Sequence, residues 1–340
     1  MSEIRYDRLH NNHVIIAPER LHRPTCDLRQ IERRSAPRAC PFCQGNESHT
    51  PPEIYAMRSK QSFANEIGWS TRVVPNLYKA VQIETPHKQH FGMFEYWEGF
   101  GAHEVVIDIP NHYTSMTQWD QKDVVNWLRT LQLRYNDLKK DTRLQYLSIF
   151  KNEGLGAGAT QPHCHTQIIG LPFVPKQNSE LFHTLYEHYK HNQNSLIETM
   201  IDEEMKGKIS RIIASRGEFV AFCPFASSHP FEIMISSKKA LGDLDSLSLH
   251  SIEQVAPLLL EVMVKLQKQL HCLEYNLILS TPPLQESSVG TEIYHNFYDA
   301  SRFYIRILPR VYNYGGFEHD SGIFINPVAP EIAAKLLKEG

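Results

Sequence analysis

Apolar and polar positions fall into two rhythms along this chain, period two and period 3.6, and the rhythms recur in the same order twice. In the first half, alternation predicts strands over 71–76, 103–110 and 144–150, with a further extended stretch over 78–84. A helix is predicted over 119–140, capped by Thr117, with Val124, Leu128, Leu131, Tyr135 and Leu138 on one stripe. In the second half, strands are predicted over 218–222, 230–236, 275–280 and 303–309. The helix there spans 249–270, and its stripe is Ile252, Val255, Leu259, Val262, Leu266 and Leu270. Strand, helix, strand, loop, strand thus occurs twice. The repeat predicts a tandem duplication of α+β class, divided into residues 1–175 and 176–340. The rest is filled by a hairpin over 5–18 turning at Asn11-Asn12, a polar and mostly helical link over 176–208, and a mobile polar loop over 283–301. An exposed arginine-rich loop over 27–38, a glycine-bent stretch over 314–327 and a terminal helix over 330–337 complete it.

The 340 residues are 41% hydrophobic and 21% charged, with a net charge of −3. That balance describes a soluble globular protein without a polyanion-binding surface, so nucleic acid is not expected as a partner. No stretch is long and apolar enough to span a bilayer, and the charged first residues form no signal segment, so a cytoplasmic protein is expected. Six cysteines are sparse for a chain of this length, and Cys40 and Cys43 form a C-x-x-C pair. Metal-bound thiolates in a reducing compartment fit this better than a disulfide framework.

Chemistry is concentrated in Gln161-Pro162-His163-Cys164-His165-Thr166-Gln167, which reads as a strand. Alternation puts His163, His165 and Gln167 on one face, with Cys164 and Thr166 on the other. The run Asn152-Glu153-Gly154-Leu155-Gly156-Ala157-Gly158-Ala159-Thr160 precedes it, and its glycines suit a backbone that wraps phosphate. It lacks the Lys-Ser/Thr ending of a P-loop and leads into a strand rather than a helix. A histidine in a strand is more often a structural residue than a reactive one; the glycine loop and the cysteine pair shift the weight toward function. Cys40-Pro41-Phe42-Cys43 can place two sulfurs on one metal. A thioredoxin-like redox pair would follow a strand and open a helix, whereas proline-rich coil flanks this one. One pair is half a tetrahedral set, so the remaining ligands must be distant, histidines by preference. Arg20 and Arg23 are spaced either to reach a shared anion or to stand as two solvated surface arginines.

Several segments, taken together and in order, resemble the galactose-1-phosphate uridylyltransferase family, the transferase branch of the histidine-triad superfamily. They are Arg20-Leu21-His22-Arg23-Pro24, the C-x-x-C pair, Pro110-Asn111-His112, Asn152-x-Gly154, His163-x-His165-x-Gln167 and Gly316-Phe317-Glu318. The resemblance spans nearly the whole chain. It implies two histidine-triad-like domains, each an antiparallel sheet with a crossing helix, and a homodimer whose sites draw on both subunits. It implies His165 as the nucleophile that carries the nucleotide, and Gln167 as the amide on its phosphoryl oxygens. Cys40, Cys43, His112 and His163 would bind zinc, with His103 competing for the third place. Arg20, Arg23, Asn76, Asn152, Thr160 and the loop glycines Gly156 and Gly158 would contact nucleotide and phosphate. Cys164 stands where the family usually has proline; it points away from the reacting face, so no chemical role is expected. Tyr304 and Arg306 stand where some members carry a second metal-binding pair, so no second metal is expected.

The activity implied is ping-pong transfer of a nucleotidyl group from a nucleotide sugar to a sugar phosphate, of the UDP-glucose–hexose-1-phosphate uridylyltransferase type in galactose metabolism. One alternative is a nucleotide-sugar or adenylyl-sulfate phosphorylase with inorganic phosphate as acceptor. Another, of a different class, is a zinc-stabilised nucleotide-binding protein without turnover. A neutral imidazole avoids direct attack of one phosphate anion on another. An amide at Gln167 cannot shuttle a proton as a third histidine would, which favours transfer over hydrolysis. The second half, without paired histidines, is expected to serve structure and substrate contacts.

Overall fold

A computed structural model describes residues 2–22, 40–207 and 210–339. Arg23 and the expected loop over 27–38 lie outside the described residues. Ten strands make up the main sheet: β1 Tyr55–Arg58, β2 Trp69–Pro75, β3 Ala102–Ile107, β4 Tyr146–Glu153 and β5 His165–Leu171 in the first half. In the second half they are β6 Ile212–Arg216, β7 Phe219–Phe222, β8 Ile233–Ser237, β9 Tyr275–Leu279 and β10 Tyr304–Pro309. The order across the sheet is β1-β2-β3-β5-β4-β9-β10-β8-β7-β6. Outward from the β4 and β9 seam the two halves repeat one topology. They do not keep separate sheets. Antiparallel pairing of Tyr275 with Glu153 through Leu279 with Ile149 fuses them edge to edge, which buries two strand edges that would otherwise be exposed.

Helices α1 Gln121–Leu138 and α2 Leu249–Leu270 pack on one face of this sheet and against each other. Both predicted stripes are buried there in a single apolar cluster, with Leu270 alone only partly covered. The start of α1 differs from the prediction. Asp120 is the cap: its carboxylate accepts from the Asp123 N–H, and Asp123 accepts from the Asp120 N–H. Thr117 instead lies in a preceding 3-10 turn, Met116–Gln118, and donates its N–H to Ser115 Oγ.

On the opposite face the second half is covered by helices Lys176–Asn192, Leu196–Lys206 and Thr291–Ala300. Leu181, Leu185, Ile197 and Ile201 meet the alternate strand residues Val220, Phe222, Met234 and Tyr304. The stretch 283–301 is therefore not a mobile loop. Its polar composition hides Ile293, Phe297 and Ala300, spaced i, i+4, i+7, and Phe297 packs edge-on to Phe182 at 5.5 Å. The stretch 78–84 forms turns with one isolated bridge, Gln82 to Phe100, rather than a strand. Within 314–327 a short helix, Gly316–Ser321, precedes the strand Phe324–Asn326, because the Glu318 carboxylate accepts from the Gly315 N–H at 2.9 Å. That strand pairs in parallel with Asn12–Ile16 of the N-terminal hairpin, which turns at Asn11 as predicted. Among the described residues no helix is long and apolar enough to cross a membrane.

Candidate active site

In the first half the face opposite α1 is only partly covered, and it carries the predicted chemistry. The chain enters β5 at His165, so His163 lies just outside the strand and turns toward the C-x-x-C turn. The ligand atoms of Cys40, Cys43, His112 and His163 all lie within 4.8 Å of one another. His112 Nδ1 is 3.3 Å from Cys43 Sγ, and His163 Nδ1 is 3.6 and 3.7 Å from the two sulfurs. The His163 Nε2–H donates to the Ile109 carbonyl at 2.8 Å, leaving Nδ1 unprotonated toward the sulfurs. Burial pushes the His163 pKa down to about 4, so the ring stays neutral as a ligand must. Burial and the neighbouring Cys40 push the Cys43 thiol up to about 11. Two thiolates and two imidazoles in this geometry fit a tetrahedral zinc. His103, the competing ligand, lies elsewhere.

His165 is 7% exposed, and its ring meets the Phe42 ring edge-on at 5.5 Å. Its Nδ1–H donates to the His163 carbonyl at 2.9 Å, which fixes the tautomer and leaves Nε2 with a free lone pair. Burial lowers the His165 pKa, so the imidazole is neutral at neutral pH. Cys164 points to the opposite face, where burial pushes its thiol up to about 12 and keeps it unreactive.

Gln167 shares the His165 face, and its orientation comes from a residue whose role the spacing does not reveal. The Ala80 N–H donates to His103 Nδ1 at 3.0 Å, so His103 Nε2 carries the proton and donates to Gln167 Oε1 at 3.1 Å. The Gln167 NH₂ group is thereby left to donate to an oxyanion. Asn76 Nδ2 lies 2.9 Å from the same His103 nitrogen, a donor facing the Nε2–H and so no hydrogen bond in this tautomer, while Asn76 Oδ1 accepts from the Tyr78 N–H. Val105 pairs with Gln167 and His103 with Ile169, so His103 is a diagonal neighbour of Gln167 on one face of adjacent strands.

The glycine loop has left-handed backbone at Gly154, φ 90°, and Gly158, φ 87°. Its amides are largely engaged within the protein. Gly156 N–H donates to Glu274 Oε1 at 3.1 Å, Gly158 N–H to the Leu155 carbonyl, and Ala157 and Ala159 N–H to the Gly154 carbonyl. A Cβ at Gly156 would come 2.2 Å from Glu274 Oε2, so close approach of Glu274 accounts for this glycine. Asn152 Oδ1 accepts from Asn276 Nδ2 at 2.8 Å, and Asn276 also donates to the Ala157 carbonyl. Thr160 is exposed at the loop's end. The second half thus shapes the loop through Glu274 and Asn276, which sit over a hundred residues away in sequence and carry no signal there. Arg20 is exposed in the turn Pro18–His22, anchored by the Ala17 N–H to the Asn326 carbonyl and placed near Tyr312 of the second half. It is not brought to His165 within the described residues.

Residues 1–175 match the family profile described as galactose-1-phosphate uridyl transferase, N-terminal domain. The chain is 31% identical to ADP-glucose phosphorylase of Arabidopsis thaliana over 99% of this chain and 92% of that protein. It is 25% identical to galactose-1-phosphate uridylyltransferase of Thermotoga maritima over 100% and 98% of the two chains. A crystal structure of the Arabidopsis ADP-glucose phosphorylase with bound ADP-glucose superposes with a TM-score of 0.82 at 28% identity, covering 100% of this chain and 99% of the other. A solved uridylyltransferase, 20% identical with a TM-score of 0.73, shares the fold over 100% of this chain and 98% of its own. With its Cys/His cluster and paired histidines in place, the chain belongs to the galactose-1-phosphate uridyl transferase family and is an enzyme of that family.

Proposed function

We propose that this enzyme moves a nucleotidyl group from ADP-glucose to inorganic phosphate through a covalent intermediate on His165. The observation that carries the transfer step is the hydrogen bond from Nδ1–H to the His163 carbonyl, which leaves a neutral, unprotonated Nε2. The donor and acceptor rest on the likeness to ADP-glucose phosphorylase along 99% of the chain.

In the first step the Nε2 lone pair attacks the α-phosphorus, and the bond to the oxygen bridging the two phosphates breaks. Glucose 1-phosphate leaves with that electron pair. In the second step a phosphate oxygen attacks the same phosphorus, the P–N bond breaks, and ADP leaves with the imidazole restored. Two in-line displacements retain configuration at phosphorus. The proton stays on Nδ1 throughout, donated to the His163 carbonyl, so the ring needs no outside base. The Gln167 amide, aimed by His103, donates to the non-bridging oxygens as their charge grows. Asn76 and Asn152, whose side-chain oxygens accept from the Tyr78 N–H and Asn276 Nδ2, would offer their NH₂ groups to the nucleotide. Zinc held by Cys40, Cys43, His112 and His163 would be coordinatively closed, and it would supply a rigid anchor for His163 rather than bond-making chemistry.

The second reading is uridylyl transfer to a hexose 1-phosphate. The family profile and the full-length match to the Thermotoga uridylyltransferase favour it. We further propose a homodimer, in which Arg20, carried with the second half, serves the site of the other copy. A panel pairing ADP-glucose or UDP-glucose with either inorganic phosphate or galactose 1-phosphate tests these assignments. ADP and glucose 1-phosphate from the first pairing, at the highest rate, is the expected outcome. Fastest exchange between UDP-glucose and galactose 1-phosphate would move the assignment to the second reading, and no turnover in any arm would contradict both.

A further inference from the structure

Behind the nucleophile, on the α1 side of the sheet, lies a charge pair that the transfer chemistry does not touch. Lys151 and Asp108 are each 1% exposed, and Lys151 Nζ donates to Asp108 Oδ2 at 3.0 Å. Lys151 faces Thr166 across β4 and β5, and its ammonium lies 5.3 Å from the Trp119 ring centroid. Burying such a pair is a poor route to stability, since apolar residues of similar size commonly do as well or better. The site carries a further cost: Asp108 Oδ1 is buried without a hydrogen-bond partner among the described residues.

What the pair does hold is the backbone at His165. The His165 carbonyl accepts from Lys151 Nζ at 3.5 Å, and the Cys164 carbonyl accepts from the Asp108 N–H at 3.3 Å. The His163 carbonyl takes the His165 Nδ1–H at 2.9 Å. Three successive carbonyls are thus tied, two of them by members of this one pair. Among the described residues the imidazole has no side-chain hydrogen-bond partner, so its aim follows the main chain that it grips. Cys164, Trp119 and Glu153 beside the pair are buried as well.

We propose that Lys151 and Asp108 act together as positioning residues that fix the direction of His165 Nε2 toward phosphorus. This assignment rests on the transfer reading above. The test is the double variant Lys151→Met with Asp108→Asn, which removes both charges and leaves neither one buried alone. Label from α-phosphate-labelled ADP-glucose is followed onto the protein in a single turnover without phosphate, alongside nucleotide-sugar affinity, zinc content and melting temperature. The expected result is labelling slowed roughly 10- to 100-fold, the scale of a misaligned reacting group, with the other three readouts retained. Labelling at the parent rate would overturn the proposal. Loss of zinc or of the folded state in the double variant would overturn it too, because the pair would then hold the fold rather than the reaction. A parent chain that takes no label defeats the transfer reading itself, before any variant is compared.

Discussion

At the scale of single residues, the orientation of the Gln167 amide depends on the proton position of a neighbouring ring. His103 accepts from a backbone amide on one nitrogen and donates to Gln167 on the other, so one proton position orients the amide. His103→Ala should leave the Gln167 carboxamide free to rotate. The expected fall in kcat is roughly 10- to 100-fold, below the loss for deleting an oxyanion donor outright, with KM for the nucleotide sugar little changed. Steady-state kinetics check this; an unchanged kcat would show that His103 does not set the amide. A second prediction concerns Asp243, buried beneath the Ser280 hydroxyl, where burial pushes its carboxyl up to about 7 from 3.8. Between those values the folded chain keeps a proton that the unfolded chain has lost, so this group's contribution to stability falls as pH rises through that window and is flat above it. Asp243→Asn removes this component. Urea titrations at about pH 4 and about pH 8 should show a smaller loss of stability in the variant than in the parent. At this scale His165 and Gln167 were legible because alternation puts them on one face of a strand, whereas His163 lies before that strand and was legible from the flanking motifs. His103 was legible only as a possible ligand, since its partnership with Gln167 depends on the register of two strands.

At the scale of elements, the C-x-x-C turn is a clip that fastens one end of β5. Phe42, between the two sulfurs, packs against both His163 and His165. Cys43→Ser should lower zinc content, the melting midpoint and nucleotidyl transfer together, as metal analysis, calorimetry and activity can follow. Activity surviving complete metal loss would contradict the anchoring role. The crossing helices do a different job, covering the back of the sheet. Leu131, fully buried on α1, should cost about 2–5 kcal/mol when cut to alanine, with active-site chemistry preserved in the folded fraction. Chemical denaturation measures it, and a loss below about 1 kcal/mol would contradict the packing described. Both crossing helices were readable because a five- or six-residue stripe repeats over several turns. The helix Thr291–Ala300 was missed because only Ile293, Phe297 and Ala300 carry its apolar signal within an otherwise polar stretch.

At the scale of the molecule, two copies of one topology share a continuous ten-stranded sheet, and the seam strand of the first half lies next to the strand that carries His165. Asn276 and Glu274 of the second half close on the glycine loop of the first, so the half without paired histidines shapes the half that has them. The duplication itself was visible in the repeated order of elements. The edge-to-edge fusion was not, because it is fixed by pairing between residues more than 120 positions apart, such as Asn152 and Asn276. Composition and motif carry no trace of such a register.

The central claim is that His165 carries the nucleotide between donor and acceptor. Intact-protein mass spectrometry after mixing with ADP-glucose in the absence of phosphate tests it most directly. The account predicts an added adenylyl group mapped by peptide sequencing to His165, discharged as ADP when phosphate is added and absent from His165→Ala. An unmodified chain that nevertheless turns over ADP-glucose, or an adduct on any other residue, would contradict it.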